Sequence, residues 1–323
     1  MLSLLSALES RIGLTPVRRL DVDNINLFTK LEFCNMSGSI KDRAAISILK
    51  DAVRNKEIDA GSTIVESSSG NLAISLAHMC HTLQLPFVAV IDPNINSTYE
   101  QMLRLLSVDT RKVDKMDEKQ GYLLNRIETV KAICASSDNT FWTNQYGNES
   151  NYRGYYQLAK EVKDVLPSLD YLFVAVSSGG AVTGLSCALK EYYPNMEVVA
   201  IDVEGSVIFR DEPRKRYISG IGSSLRSPII EHARIDQVMH ISNMDLIRGC
   251  HELLKEQHIF AGGSTGAIYY AIRHRFDFPK SAVKPNVLFC CADGGHAYLD
   301  NVYNKAWVDS FITETEFTAT CSI

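Results

Sequence analysis

The sequence predicts an α/β protein in two lobes, each a mostly parallel twisted sheet flanked by helices. Three observations carry that expectation. Strand-length apolar runs alternate with helical patterns along most of the chain, the order expected of βαβ units and parallel sheets. Some runs are apolar almost throughout, as in Pro86-Phe87-Val88-Ala89-Val90-Ile91, which suits strands covered on both faces. Residues 42–143 read as a compact α/β unit inserted between an early strand and all that follows, which divides the 323 residues into two lobes.

The elements follow in order. Leu4, Leu5, Leu8 and Ile12 recur at helical spacing, so the chain opens on a short amphipathic helix that packs on the body or on a second subunit. Gly13-Leu14-Thr15-Pro16 is a turn, and residues 25–32 alternate in part as a strand should. A helix over 42–55, a strand over 62–66 and a helix over 72–83 come next. Asp92-Pro93 ends the strand over 86–91, and a helix lies near 98–106. A weaker strand over 110–113 precedes a long helix over 121–135. A helix over 152–166, a strand over 170–176, a helix over 182–193 and a strand ending at Asp202 build the second half. The last strand covers 286–291, and the polar tail from Thr313 is expected to be disordered.

Composition excludes several classes. Apolar residues make up 46% and charged residues 22%, ordinary for a globular enzyme. A net charge of −5 provides no global basic field for nucleic acid or a membrane surface. The basic cluster over 210–216 is interrupted by Asp211, Glu212 and Pro213, and reads as a solvated loop. The N-terminus has no basic stretch ahead of its apolar residues and does not read as a signal peptide, and no apolar run approaches the ~20 residues of a membrane span. Eight cysteines are scattered without a C-x-x-C pair, as for reduced thiols in a cytoplasm. Cys290 and Cys291 share an apolar strand, so their side chains are expected on opposite faces. His78, Cys80 and His81 lack further ligands, and no metal site is expected.

Three loops carry candidate chemistry. In Ser37-Gly38-Ser39-Ile40-Lys41-Asp42-Arg43 a lysine follows a Gly/Ser turn at a helix start. Such a lysine is held on a fixed loop and suits a Schiff base with an aldehyde cofactor; alone, S-x-K-D is more often a charged first turn. Ser67-Ser68-Ser69-Gly70-Asn71 joins a strand to a helix, where backbone N–H groups bind anions or an ordinary N-cap forms. Ser177-Ser178-Gly179-Gly180-Ala181 is the strongest anion signal, since small residues let backbone wrap a phosphate and the helix dipole contributes about 0.3–1 kcal/mol. It is no dinucleotide fingerprint, because G-x-G-x-x-G is absent.

Asn35-Met36-Ser37-Gly38-Ser39-Ile40-Lys41-Asp42-Arg43 resembles the N-P-x-G-S-x-K-D-R signature of pyridoxal-phosphate (PLP) β-replacement enzymes, the fold-type II family of cysteine synthase and cystathionine β-synthase, whose architecture is like that of the tryptophan synthase β chain. Met36 stands where that family usually has Pro. The resemblance implies PLP as cofactor, Lys41 as its aldimine lysine, and residues 144–323 with 1–41 as the larger lobe against a mobile lobe of 42–143. It implies that Ser68, Ser69 and Asn71 hold the substrate carboxylate and the cofactor's phenolic oxygen, with Gln145 helping. It places the cofactor phosphate on Ser177, Ser178, Gly179, Gly180 and Ala181, although Ser177 replaces a Gly and Ala181 a Thr hydroxyl. Gly220, in Ser219-Gly220-Ile221-Gly222, lines the substrate side, and Ser264 faces the pyridine nitrogen, which suits β-elimination through an aminoacrylate. Family members are usually homodimers acting on small amino acids.

Within the family, Leu124-Asn125-Arg126-Ile127, Trp142-Thr143-Asn144-Gln145-Tyr146 and Phe260-Ala261-Gly262-Gly263-Ser264-Thr265-Gly266 look like the branch that joins O-phospho-L-serine to L-glutamate for siderophore precursors. That likeness implies phosphate contacts from Arg126, Tyr146 and Ser177, although a helical Arg is often solvated. The alternatives are a sulfur enzyme (cysteine synthase, cystathionine β-synthase or cysteine desulfidase) and a catalytically silent module of the same fold.

Overall fold

The computed structural model describes residues 1–320 except 107, 119, 120, 211 and 281, and of 313–320 only the backbone. Its helices and strands, in chain order, are α1 (Leu2–Glu9), β1 (Val17–Leu20), β2 (Asn26–Leu31), α2 (Lys41–Arg54), β3 (Thr63–Ser67), α3 (Asn71–Leu83), β4 (Phe87–Ile91), α4 (Ser97–Leu105), β5 (Asp109–Lys112), α5 (Leu123–Ala135) and β6 (Thr140–Trp142). Then come α6 (Glu149–Arg153), α7 (Tyr156–Val165), β7 (Tyr171–Ala175), α8 (Gly180–Tyr192), β8 (Glu197–Val203), β9 (Gln237–Ile241), α9 (Asn243–Gln257), α10 (Gly263–Tyr270), β10 (Asn286–Cys291) and α11 (Lys305–Thr320).

Two lobes of largely parallel sheet result. One sheet runs β1-β2-β10-β7-β8-β9, the other β5-β4-β3-β6. Every pairing is parallel except β1 with β2. Two covered faces explain the unbroken apolar runs. Val287, Phe289 and Cys291 enter one core with Tyr171 and Phe173, while Leu288 and Cys290 enter the opposite core with Leu172 and Val174. The vicinal cysteines therefore point apart, as the pleat requires. In the smaller sheet, Ile64, Phe87, Ala89 and Ile91 face one core, and Val65, Val88 and Val90 the other.

The structure corrects several expectations. Residues 1–41 do not all belong with the larger sheet. Leu5 and Leu8 of α1 are buried in the core of the smaller lobe, where α1 packs on α2 and α3. The i, i+3 leucines need an apolar groove, and those two helices supply one. The helix over 152–166 is broken into α6 and α7 beside Gly154. A Cβ on Gly154 would lie 2.3 Å from the Arg43 carbonyl oxygen, so its bare backbone lets α6 meet α2. The tail from Thr313 continues α11 through Thr320 in place of a disordered end, and residues 321–323 lie outside the described residues. The edge strand β1, with two exposed arginines, and the short β6 carried too little pattern to foresee.

The start of α2 is anchored by buried ions. Arg43 Nε lies 2.6 Å from Glu32 Oε2 and its Nη2 2.9 Å from Glu161 Oε2, while Lys30 Nζ lies 2.7 Å from the same Glu161 oxygen. All four side chains are almost excluded from water. Two cations and two anions balance, which makes the burial tolerable; removing one partner of such a group typically costs about 3–5 kcal/mol. The cluster ties the first turn of α2 to β2 and α7. Lys41 thus starts from a fixed helix end.

Candidate active site

A cleft of about 730 Å³ opens between the lobes, large enough for a cofactor with an amino acid. Every site residue proposed from sequence lines it: Lys41, Ser68, Ser69, Asn71, Arg126, Gln145, Tyr146, residues 177–181, Gly220 and Ser264. They reach it because the strands β3, β7 and β10 end there, and helices α2, α3, α8 and α10 begin there. Ligands in open α/β sheets bind at this edge.

Lys41 is the first residue of α2 and only partly exposed. Burial brings its ammonium pKa down to about 8, while the Asp293 carboxylate opposes that shift. Asp293 is the residue that sequence reasoning missed. It is 2% exposed, and Asn71 Nδ2 donates to its Oδ2 at 2.7 Å, as does the Tyr298 hydroxyl at 2.9 Å. Burial pushes its own pKa up, and those two donors with the Lys41 charge work against it. Asn71 also accepts from the Tyr99 hydroxyl, so both ends of its amide are oriented. The sequence shows Ala292-Asp293-Gly294-Gly295 only as a turn after a buried strand. Its position depends on backbone pairing with Ser39 on one side and Ala261 on the other.

The Ser67–Asn71 loop is held by side chains. Ser68 Oγ accepts from the Gly70 and Ala73 amides at 3.4 and 3.3 Å, which caps α3. Ser69 Oγ donates to Asp92 Oδ2 at 3.0 Å and accepts from Arg126 Nη1 at 2.9 Å. Arg126 forms a 3.2 Å ion pair with Asp92, its side chain is 11% exposed, and its Nε is buried without a partner. It faces the cleft, which removes the solvated reading. Gln145 is different. Its Nε2 donates to the Ser67 carbonyl at 3.0 Å and approaches Glu66 at 3.4 Å, so both of its N–H groups are engaged within the loop. In this arrangement Gln145 also positions Glu66 and Ser67. Glu66 is fully buried, with its pKa raised by that burial.

The loop at 177–181 works through backbone. Gly179 has φ +91°, and a Cβ there would lie 2.4 Å from Ile230 Cγ1; one on Gly180 would lie 2.2 Å from Asn151 Oδ1. Ser177 Oγ donates to the Gly222 carbonyl at 3.1 Å, and Ser178 Oγ is buried with no partner. The unpartnered Ser178 hydroxyl thus lies beside the helix-start N–H groups of α8, an arrangement of donors that suits an anion.

The cluster over 210–216 is not wholly the solvated loop expected. Arg216 lines the cleft, with Nη1 donating to the Gly205 carbonyl at 3.2 Å and Nη2 to Ser224 Oγ at 2.9 Å. β8 ends at Val203, and the chain folds back so that the Arg214 amide donates to the Gly205 carbonyl at 3.3 Å. Among the described residues there is no group of three potential metal ligands, and no helix is long and apolar enough to cross a membrane. The described cysteines are all free.

A family model described as pyridoxal-phosphate dependent enzyme matches residues 8–290. Solved structures agree in fold. The O-acetylserine dependent cystathionine β-synthase of Helicobacter pylori is 25% identical, with a TM-score of 0.83 over 91% of this chain and 97% of that one. A variant of a hydrogen sulfide-producing enzyme of Fusobacterium nucleatum, solved with an α-aminoacrylate intermediate, is 25% identical with a TM-score of 0.83 over 93% of this chain and 91% of that one. An O-ureido-L-serine synthase, 23% identical, has a TM-score of 0.82 over 95% of this chain and 98% of that one.

Proposed function

This chain belongs to the pyridoxal-phosphate-dependent enzyme family, and from that premise we propose that it catalyses β-replacement on a serine derivative, joining O-phospho-L-serine to L-glutamate. The product would be N-(2-amino-2-carboxyethyl)-L-glutamate, a route to 2,3-diaminopropionate for siderophores, which makes the chain an N-(2-amino-2-carboxyethyl)-L-glutamate synthase. The observation that carries the substrate reading is Arg126, a guanidinium inside the cleft bonded to Ser69 and leaving Nε unpartnered. A phosphoryl leaving group carries nearly two charges, and a guanidinium fork matches its oxygens.

The residues fit the cofactor. The buried, unpartnered Ser178 hydroxyl and the bare Gly179 and Gly180 backbone suit its phosphate, Ser264 its ring nitrogen, and Asn71 its phenolic oxygen. Held at rest on the Lys41 amine and passed to the substrate's own amine, which frees Lys41, PLP would supply an electron sink for breaking a Cα–H and then a Cβ–O bond. The chain's residues do the rest. Lys41 Nζ, neutral above about pH 8, is the base that takes the Cα proton. The N–H groups of Ser68 and Ser69, with the Ser68 hydroxyl, hold the substrate carboxylate. Arg126, Tyr146 and Ser177 bind the departing phosphate. Gly220 leaves room on the substrate side, and the lobe of residues 42–143 closes to keep water out. We further propose a homodimer in the reducing cytoplasm, supported by the exposed Leu2 and Leu4 of α1 and by the free cysteines.

The test compares kcat/KM for O-phospho-L-serine and O-acetyl-L-serine in wild type and Arg126→Ala. Charged hydrogen bonds contribute about 1.5–3 kcal/mol, so phosphoserine should lose about 10- to 100-fold and acetylserine far less. Equal losses, or a wild type that ignores phosphoserine, would favour a sulfur enzyme of this family. A protein that binds no PLP would be the silent module.

A further inference from the structure

The cleft contains two guanidinium groups, and they are held differently. Arg126, from the smaller lobe, already faces a carboxylate, with Asp92 at 3.2 Å. Arg216, from the larger lobe, makes no ion pair among the described residues and donates to a carbonyl and a hydroxyl, Gly205 O and Ser224 Oγ. Both groups line the same cavity, with Tyr146 beside them. Burial and the Arg126 charge lower the Arg216 pKa, while the Tyr146 hydroxyl, Asp202 and Asp117 pull it back.

The surroundings set where its ligand would sit. Ser224, which fixes one Arg216 nitrogen, faces Gly121 of the smaller lobe, where a Cβ would fall 2.5 Å from the hydroxyl. Arg216 therefore stands at the seam where the two lobes meet over the cleft. Among the described residues no carboxylate pairs with this half-buried guanidinium, and an anionic reactant entering at the seam would supply one.

Building on the β-replacement reading above, we propose that Arg216 is a specificity residue for the incoming nucleophile, and that it binds a carboxylate of an amino acid that adds at Cβ. The two guanidiniums divide the work. Arg126 receives the anion that leaves, and Arg216 the anion that enters. Separate cations let one cleft take two anionic reactants in succession without holding the leaving group in the nucleophile's place. A neutral or small nucleophile such as sulfide makes no use of Arg216.

The experiment is a competition assay on the holoenzyme. O-acetyl-L-serine is the donor, so the leaving group carries no phosphate, and L-glutamate and sulfide are supplied together. Mass spectrometry gives the ratio of C–N to C–S products, an internal measure that a general loss of activity does not move. Arg216→Gln, which removes the charge and leaves a polar amide at the seam, should lower that ratio about 10- to 100-fold and raise KM for L-glutamate. Arg216→Lys should fall between it and wild type. An unchanged ratio in Arg216→Gln overturns this inference and leaves the reading of L-glutamate as nucleophile intact. A wild type that forms only the C–S product overturns both. A ratio unchanged with acetylserine but a selective loss with phosphoserine overturns the division of labour and makes Arg216 a leaving-group residue.

Discussion

The loops that open α3 and α8 have the same plan, strand then small residues then helix, yet they are held in opposite ways. Around residues 67–71 two side chains are tied to partners from other elements, Ser69 to Asp92 and Arg126 and Asn71 to Asp293 and Tyr99, while Ser68 caps its own helix and the Ser67 hydroxyl is buried without a partner. Around residues 177–181 two glycines leave room for backbone alone, and the Ser178 hydroxyl has nothing to bond. One loop is a set of side chains aimed by a network. The other is a cradle defined by what is missing from it. Substitutions should act on the first through its partners and on the second through space.

The largest effect should come from filling the cradle. Gly179→Asp forces a non-glycine residue to φ +91°, presses a Cβ on Ile230 and adds a carboxylate where the phosphate is proposed to sit. Strain of about 1–3 kcal/mol together with like-charge repulsion should weaken PLP binding by at least ~100-fold, read by dialysis and cofactor absorbance. Thermal unfolding of the cofactor-free protein separates loss of the site from loss of the fold. Retention equal to wild type would remove the phosphate assignment.

A smaller and more specific effect is expected where the network reaches the lysine. Lys41 titrates near 8 because burial outweighs the help of Asp293. Uptake of PLP should therefore rise with pH and level off above about 8, as the amine loses its proton. Asp293→Asn retains an acceptor for Asn71 and Tyr298 but removes the charge, so the inflection should move to lower pH, measurable by stopped-flow absorbance. The same shift has a stability sign. Between about 8 and the ordinary lysine value of 10.5 the unfolded chain binds a proton that the folded chain has lost, so the cofactor-free protein should gain stability with pH across that window. Lys41→Met should abolish the gain in urea unfolding. An inflection that does not move in Asp293→Asn would mean that the carboxylate is not coupled to the amine.

The smallest effect belongs to Ser178→Ala. The hydroxyl has no protein partner, so the cofactor-free protein should lose no stability. With PLP present, losing one hydrogen bond of about 0.5–1.5 kcal/mol should weaken binding roughly 3- to 10-fold. A destabilised cofactor-free variant would show that the hydroxyl serves the fold.

Much of this molecule was readable from local pattern. The strands and helices that build the site announce themselves because buried parallel strands must be apolar and helix starts that bind anions must be small, and both are properties of neighbouring residues. Lys41, residues 67–71 and residues 177–181 lie on such segments, and so each was legible. Tertiary structure alone decided the rest. Asp293 looked like a turn residue until the β10 loop was seen pairing with both Ser39 and Ala261. Arg216 looked like one more charge in an exposed cluster until its loop folded over the end of β8. The bond from the Gln145 amide to the Ser67 carbonyl joins residues 78 positions apart. α1 looked like part of the larger lobe until α2 and α3 offered its leucines a groove. In each case the deciding partner is distant in sequence. A side chain's charge, burial and free donors depend on what the fold places within about 4 Å of it, and no local spacing encodes that.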